Sequence, residues 1–181
     1  VRLTRQALEA RVPARVGFSH DGNFDPMNQV NRDRRGENDM LPGGAIKDRD
    51  LYVMRVDTRA GEPMALVPIF GIHGTLLDAD NPLATPDAPG YIERAVEESF
   101  DRRVVVMHLQ GAGGDMSPSG SGGFDCGEQS RSRAKFCFNY ASGEGTGRNA
   151  VAPIRAAWER AGMNMRDRVK LEVLTRTVPL G

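Results

Sequence analysis

The sequence has no excess of either charge and no long apolar run. Its 24 basic residues balance 24 acidic residues, so the formal net charge is zero, which gives no support to a nucleic-acid or acidic-membrane partner. No apolar run approaches the roughly 20 residues that a transmembrane helix needs. The 181 residues are enough for one domain with a sizeable core.

Aromatic residues and cysteines are also scarce. Aromatics make up 6% of the chain against 21 glycines, which predicts long loops and a mostly aliphatic core. The only two cysteines, Cys126 and Cys137, flank a short polar loop. We expect a disulfide between them, and therefore a secreted, periplasmic or cell-surface protein; two free thiols in a reducing compartment are the alternative. No signal peptide is visible, and the start at Val1 suggests a processed or trimmed chain.

Hydrophobic periodicity predicts helices and strands along the chain. The predicted helices cover residues 3–11, 90–100 and 149–161, and the predicted strands cover residues 15–19, 51–58, 64–73, 104–107 and 168–178. The second and third strands form a β-hairpin, in which Pro68 indicates an edge position or a bulge. Pro153 falls in the first turns of the last helix, where proline is tolerated. This order predicts a mixed α/β (α+β) fold, a layered mixed β-sheet flanked by helices, with catalytic loops at strand ends.

The stretch from residue 104 to 122 is the centre of this prediction. It opens as a buried apolar strand and runs into a glycine-rich loop that carries Asp115, Ser117 and Pro118. Glycines allow positive φ angles and close backbone approach, so several N–H groups could converge on one point; a plain connecting loop is the alternative. The loop is neither a phosphate loop, because no Lys follows its glycines, nor a GxSxG elbow, because Asp115 stands two residues before Ser117.

Two histidines are candidate ligands or acid–base groups. His73 ends the apolar hairpin strand and leads into a polar loop, which suits either a ligand or catalyst or a structural histidine. His20 and Asp21 begin a long aperiodic stretch, residues 20–48. They form either a metal or acid–base pair or, as we expect, a surface histidine in a turn.

Four blocks of the sequence, in the same order along the chain as in the family, resemble the neutral/alkaline ceramidase family. Three are short motifs at loops: Val30-Asn31-Arg32, His73-Gly74-Thr75 followed by Asp87-Ala88-Pro89-Gly90-Tyr91, and Gln110-Gly111-Ala112-Gly113-Gly114-Asp115-Met116-Ser117-Pro118. The fourth is the acidic lead into a strand over residues 48–55. Each block is weak alone, but the set is fairly specific and extends over nearly the whole chain.

The resemblance implies a zinc-dependent amidohydrolase that cleaves the N-acyl amide bond of ceramide to sphingosine and fatty acid. By position, His73 resembles a zinc ligand, and Ser117 resembles the active-site serine, with Asp115 beside it in the catalytic block. Arg32 resembles the arginine that helps to bind substrate. Asn31, Gln110 and Gly114 are the further substrate-binding candidates, and the backbone of residues 114–117 shapes the floor of the pocket.

The chain also departs from the family. Ser119 replaces the usual Asn after Ser-Pro, and Leu76 stands where a polar residue is usual. Family members are several times longer, and the upstream His-x-His block and the downstream Glu and Tyr ligands are absent. The remaining ligands of a four-coordinate zinc ion are therefore not in this chain. We expect residues 1–181 to be a single domain or a fragment of a larger ceramidase-like catalytic domain, whose partners are other segments or chains of the same precursor.

Two questions stay open at the level of sequence. Either zinc-bound water, as we expect, or Ser117 itself attacks the amide carbon. The rival functions are a related amidase that acts on another N-acyl substrate and a non-catalytic fragment or subunit that has lost the complete metal site.

Overall fold

The computed structural model describes residues 2–34, 47–77, 81–119 and 131–179, of which residues 131–138 are described by their backbone alone. Cys126 and the side chain of Cys137 lie outside this part, so their pairing stays a prediction. The elements in chain order are α1 (Arg2–Glu9), β1 (Ala14–Asp21), β2 (Asn31–Asp33), β3 (Leu51–Thr58), β4 (Pro63–Phe70), α2 (Asp87–Glu98), β5 (Val105–Val106), β6 (Leu109–Gln110), β7 (Met116–Pro118) and α3 (Arg131–Gly162).

The main sheet is mixed, as predicted. Its order is β1-β3-β4-β5, and β6 also pairs with β4. The pairs β1–β3 and β3–β4 are antiparallel, whereas β5 and β6 run parallel to β4. A separate two-stranded antiparallel sheet joins β2 to β7. Together with the helices, these sheets confirm the mixed, layered α/β class.

The predicted hairpin is present, but the prediction for Pro68 is wrong. Pro68 pairs with Val53 inside a central strand, and the irregularity in the β3–β4 register lies at Val56/Asp57. On the other side of β4, β5 pairs with residues 65 and 66 and β6 pairs with residues 69 and 70. The parallel neighbour is thus interrupted opposite Pro68, and neither β5 nor β6 pairs with this residue, which has no N–H to donate.

The apolar run after residue 103 is not a fully buried strand, contrary to prediction. Val104 and Val106 are buried, but Val105 is 50% exposed and Met107 is 51% exposed. Backbone N–H groups of Val106 and His108 donate to Glu97 and Glu93 of α2, at 2.9 and 2.7 Å respectively. The run therefore lies at the edge of this sheet, with alternate residues turned inwards.

Helices α2 and α3 cover one face of the main sheet. The core between them contains Ile92, Val96, Ile154, Ala157 and Trp158, all at most 6% exposed. The predicted inward face of the last helix is confirmed, and this helix ends at Gly162. However, it begins at Arg131, so the segment expected to be a polar loop between the cysteines is helical from there, and Pro153 lies in the helix interior rather than in its first turns.

The opposite face of the main sheet carries several half-exposed apolar side chains in the described part of the chain, although Val67 of β4 on the same face is only 4% exposed. Phe18 of β1, Tyr52 of β3, Val105 of β5 and Leu109 of β6 are each between 43% and 53% exposed, and the strand registers place them on one face. Among the described residues, no helix is long and apolar enough to cross a membrane.

Both ends of the described chain are exposed. The predicted first helix forms as α1, but none of its residues is buried. The predicted strand over residues 168–178 is wrong, because this segment has no strand structure and Leu171 and Val173 are 83% and 93% exposed. Just before this segment, Arg166 forms an isolated bridge with Val16 at the outer edge of β1. Alternating residues become a strand only where a partner offers hydrogen bonds.

Replacement of Gly17 by alanine tests how closely α3 lies on β1. A Cβ atom at Gly17 would stand 2.1 Å from the Ala161 carbonyl oxygen. We expect Gly17→Ala to lower the free energy of unfolding by about 1–3 kcal/mol, because backbone must move. In the control Gly114→Ala, nothing lies within 4 Å, and a change below about 1 kcal/mol is expected. Equal values for the two variants in urea unfolding would contradict the close packing.

We expect His108 to make the fold less stable in acid. Its Nε2–H donates to the Phe70 carbonyl (3.0 Å), and burial lowers the pKa of the imidazole below its usual value. Below about pH 6.5 the unfolded chain therefore binds more protons than the folded chain, so stability falls as the pH drops. We expect the free energy of unfolding to fall less between pH 7 and pH 5 in His108→Gln than in the parent chain. Parallel pH profiles would exclude this role of His108.

Candidate active site

The short strand β7 joins two of the loops that the sequence singled out. Past the end of β4, the His73 backbone N–H donates to the Met116 carbonyl at 2.9 Å. The His73 ring nitrogen Nδ1 lies 3.1 Å from the same oxygen. Because a carbonyl can only accept, Nδ1 carries the proton in this hydrogen bond.

The other side of β7 pairs with β2 from the long loop after β1. Arg32 stands opposite Ser117 in the register. Backbone hydrogen bonds extend this pair at both ends: Arg34 N–H donates to the Asp115 carbonyl and Ser119 N–H donates to the Val30 carbonyl, each at 2.9 Å. Asp115 is thus held through its backbone at the start of β7.

The structure therefore brings Arg32, His73 and Ser117 to one junction. Directly opposed residues of an antiparallel pair point to the same face, so the Arg32 side chain lies beside Ser117. Ser117 is 9% exposed, His73 is half-buried and Arg32 is exposed. A cationic group beside a shielded hydroxyl and an imidazole suits the binding of a polar group of a ligand.

The orientation of His73 suits a metal ligand. With Nδ1–H held by a backbone carbonyl, the lone pair of Nε2 is available for coordination, which is the usual arrangement of metal-binding histidines. Within the described residues, however, no group of three or more His, Cys, Asp or Glu side chains could hold a metal ion. This part of the chain alone does not fit a complete zinc site.

The glycines of the central loop allow close packing rather than unusual φ angles. Among the described glycines, only Gly61 has positive φ, so Gly111, Gly113 and Gly114 do not use the positive φ that glycine allows. A Cβ at Gly71 would stand 2.4 Å from the Ala112 carbonyl, and one at Gly113 would stand 1.8 Å from the Gln110 side-chain nitrogen. The Gln110 side chain therefore lies against the backbone of Gly113, close to Ile72, while Gly114 borders open space.

Asn31 is buried beneath the junction instead of opening onto it. It is 1% exposed. Its side-chain nitrogen donates to the Gly71 carbonyl at 2.7 Å, and its side-chain oxygen accepts from Lys47 Nζ at 2.8 Å. Lys47 also forms an ion pair with Asp25 at 2.9 Å, and both side chains are at most 4% exposed.

Sequence reasoning missed the roles of Lys47 and Asp25. Asp25 had one local signal, the Asp-Pro turn that it opens, and it adopts positive φ (48°). Lys47 had none, because lysine usually lies at the surface. Burial lowers the pKa of Lys47, and its hydrogen bond to Asp25 opposes this shift.

Asp87 holds the loop that follows His73. Its carboxylate accepts hydrogen bonds from the backbone N–H groups of Leu76 and Leu77, both at 2.9 Å, and from that of Ala88. Asp87 has positive φ (50°) and is 7% exposed. The Asp-x-x-Gly-Tyr motif had marked only the start of a helix.

The second candidate histidine does not belong to this junction. His20 lies in β1, and its ring nitrogen Nε2 is 2.7 Å from Asp50, with both side chains about half exposed. Its ring also stacks on Tyr52, while Asp21 pairs with Arg160. The surface interpretation of His20 thus fits the structure, although the residue lies in a strand rather than a turn.

Two solved ceramidase structures share this fold. A crystal structure of neutral ceramidase from Pseudomonas aeruginosa matches 91% of this chain with a TM-score of 0.68 and 19% sequence identity. A ceramidase complexed with C2 matches 88% with a TM-score of 0.61 and 20% identity. The chain spans 25% and 24% of the lengths of those chains. No protein-family model and no curated protein sequence matches it. The likeness shows a fold found within neutral ceramidases.

Replacement of Asp87 by asparagine tests the anchoring of the His73 loop. The amide offers one acceptor oxygen where the carboxylate offers two, so at least one backbone N–H loses its partner. We expect a loss of about 1–3 kcal/mol in unfolding free energy and faster hydrogen exchange at Leu76 and Leu77. The exposed Asp101 provides the control Asp101→Asn. Unchanged exchange at both leucines in Asp87→Asn would contradict the anchoring.

Proposed function

We propose that this chain is part of the catalytic domain of a zinc-dependent amidohydrolase that resembles neutral ceramidase. The enzyme cleaves the N-acyl amide bond of ceramide, which gives sphingosine and a fatty acid. One observation carries the proposal: Arg32, His73 and Ser117, from three separate motifs, meet at β7, within a fold found in neutral ceramidases.

His73 is the proposed zinc ligand of this chain. Its Nε2 faces away from the Met116 carbonyl that holds Nδ1, and the remaining ligands come from outside the described residues. A bound zinc ion supplies Lewis acidity and lowers the pKa of its water. The described residues do not complete the metal site.

Arg32 and Ser117 bind the polar part of the substrate. A guanidinium donates hydrogen bonds to a carbonyl or hydroxyl oxygen in a planar fork, and the neighbouring Ser117 hydroxyl both donates and accepts. Direct attack by Ser117 needs a nearby base, and the His73 Nδ1 faces the Met116 carbonyl instead. This geometry favours a positioning role for Ser117 over nucleophilic attack.

Further polypeptide completes the enzyme. The half-exposed apolar side chains of Phe18, Tyr52 and Val105 on one face of the main sheet support this proposal, since clustered exposed apolar side chains mark interfaces. We propose that other segments or chains of the same precursor cover that face and supply the missing ligands. The two cysteines favour an exported protein.

The test is N-acyl hydrolysis by the longest isolated form of the protein, with metal content measured in parallel. Active enzyme is expected to contain about one zinc per catalytic domain and to lose activity on chelation. We expect Arg32→Ala to reduce kcat/KM on ceramide about 10- to 100-fold. Arg59→Ala is the control, because Arg59 is exposed in the turn at the opposite end of β4 from His73.

The outcomes separate the candidate functions. Hydrolysis of other N-acyl compounds but not ceramide indicates a related amidase. A homogeneous protein without metal and without hydrolysis indicates a non-catalytic fragment or subunit and refutes the proposal. Covalent labelling of Ser117 by a serine-directed inhibitor would refute the positioning role and identify Ser117 as the nucleophile.

A further inference from the structure

A buried ion pair lies directly beneath the candidate active site. Lys47 Nζ donates to Asp25 Oδ2 at 2.9 Å, to the Asn31 backbone carbonyl at 2.9 Å and to the Asn31 side-chain oxygen at 2.8 Å. These bonds use all three donors of the ammonium group. The pair is therefore satisfied, as a buried charge must be.

Asp25 directs the backbone that leads into β2. One carboxylate oxygen accepts from the Gln29 N–H at 2.7 Å, and the other accepts from the N–H groups of Val30 and Asn31 at 2.9 and 3.0 Å. Three successive amides thus converge on one side chain. Asp25 consequently sets where Arg32, the next residue, enters the strand.

Asn31 connects this ion pair to both arms of the junction. Its backbone belongs to β2, which pairs with β7. Its side-chain nitrogen donates to the Gly71 carbonyl at 2.7 Å, two residues before His73. Any shift of Asn31 must therefore move Arg32 relative to Ser117, or β2 relative to His73.

We propose that Lys47 and Asp25 are positioning residues that set the register at which β2 meets β7 and the end of β4. In this role they fix Arg32 relative to Ser117 and His73. The effect of this positioning on catalysis rests on the proposed function, whereas the positioning itself does not. Buried ion pairs are poor sources of net stability, because desolvation offsets the attraction. Three-residue strands such as β2 and β7, in contrast, need an external constraint on register.

Lys47→Gln tests the proposal through amide hydrogen exchange in the protein as isolated. We expect exchange of the Arg34, Ser119 and His73 amides, whose N–H groups cross the junction, to become at least tenfold faster. Exchange in the β3–β4 hairpin is expected to stay unchanged. Lys170→Gln is the matched control, because its side chain is 82% exposed, and Lys47→Arg tests rescue by a second donor-rich cation.

Each exchange result decides the question. A selective loss of protection at the junction in Lys47→Gln, with partial recovery in Lys47→Arg, supports positioning. Unchanged protection at the junction overturns it. If Lys47→Gln loses protection throughout the protein, the result for Lys47→Arg decides. A loss of protection in Lys47→Arg that is confined to the junction supports positioning. Protection equal to that of the parent, or a uniform loss, means that the ion pair only stabilises the fold.

The kinetic consequence is measured separately. In folded Lys47→Gln we expect kcat on ceramide to fall about 10- to 100-fold, because small misplacement of reacting groups is costly. Lys47→Arg is expected to recover part of this loss, and Lys170→Gln to match the parent. If the parent hydrolyses no N-acyl substrate, the proposed function fails while hydrogen exchange still decides the positioning role. A normal kcat despite a loosened junction would overturn the catalytic importance of the pair.

Discussion

Strand β7 has only three residues, and such a strand cannot hold its own position. It is fixed because both of its sides are bonded, on one side to β2 and on the other to the backbone and ring of His73. Ser117 lies in the middle of this strand. The placement of Ser117 relative to Arg32 and His73 therefore depends on how firmly those two neighbours are anchored.

Each neighbour of β7 is anchored by a buried or nearly buried carboxylate. Asp25 accepts hydrogen bonds from the backbone amides of Val30 and Asn31, which lead into β2, and forms an ion pair with Lys47. Asp87 accepts hydrogen bonds from the backbone amides of Leu76 and Leu77, in the loop that follows His73. Both have positive φ, a conformation that aspartate tolerates at turns better than most residues. Polar groups thus position the loops, while the apolar core of the main sheet and two helices supports them from below.

Local patterns predicted the hairpin and the inward face of α3, because alternation and helical spacing depend on nearby residues. The resemblance to the ceramidase family predicted Arg32, His73 and Ser117 as site residues from the sequence alone. The sequence did not predict the long-range pairing of strands. Residues 168–178 alternate between apolar and polar types without forming a strand. Pro68 lies in a central strand, opposite the gap between β5 and β6. The burial of Lys47 depends on partners 16 and 22 residues away in the chain, which no local pattern specifies.

The central claim is that β2 and β7 form an antiparallel pair with Arg32 opposite Ser117. In this register the residue pairs on either side are close, non-hydrogen-bonded pairs, with Cα atoms about 4.5 Å apart. The most direct measurement is nuclear Overhauser contact between Hα protons in the labelled protein. The account predicts strong Hα–Hα contacts between Asp33 and Met116 and between Asn31 and Pro118. Contacts shifted by one residue, or none between these segments, would contradict it.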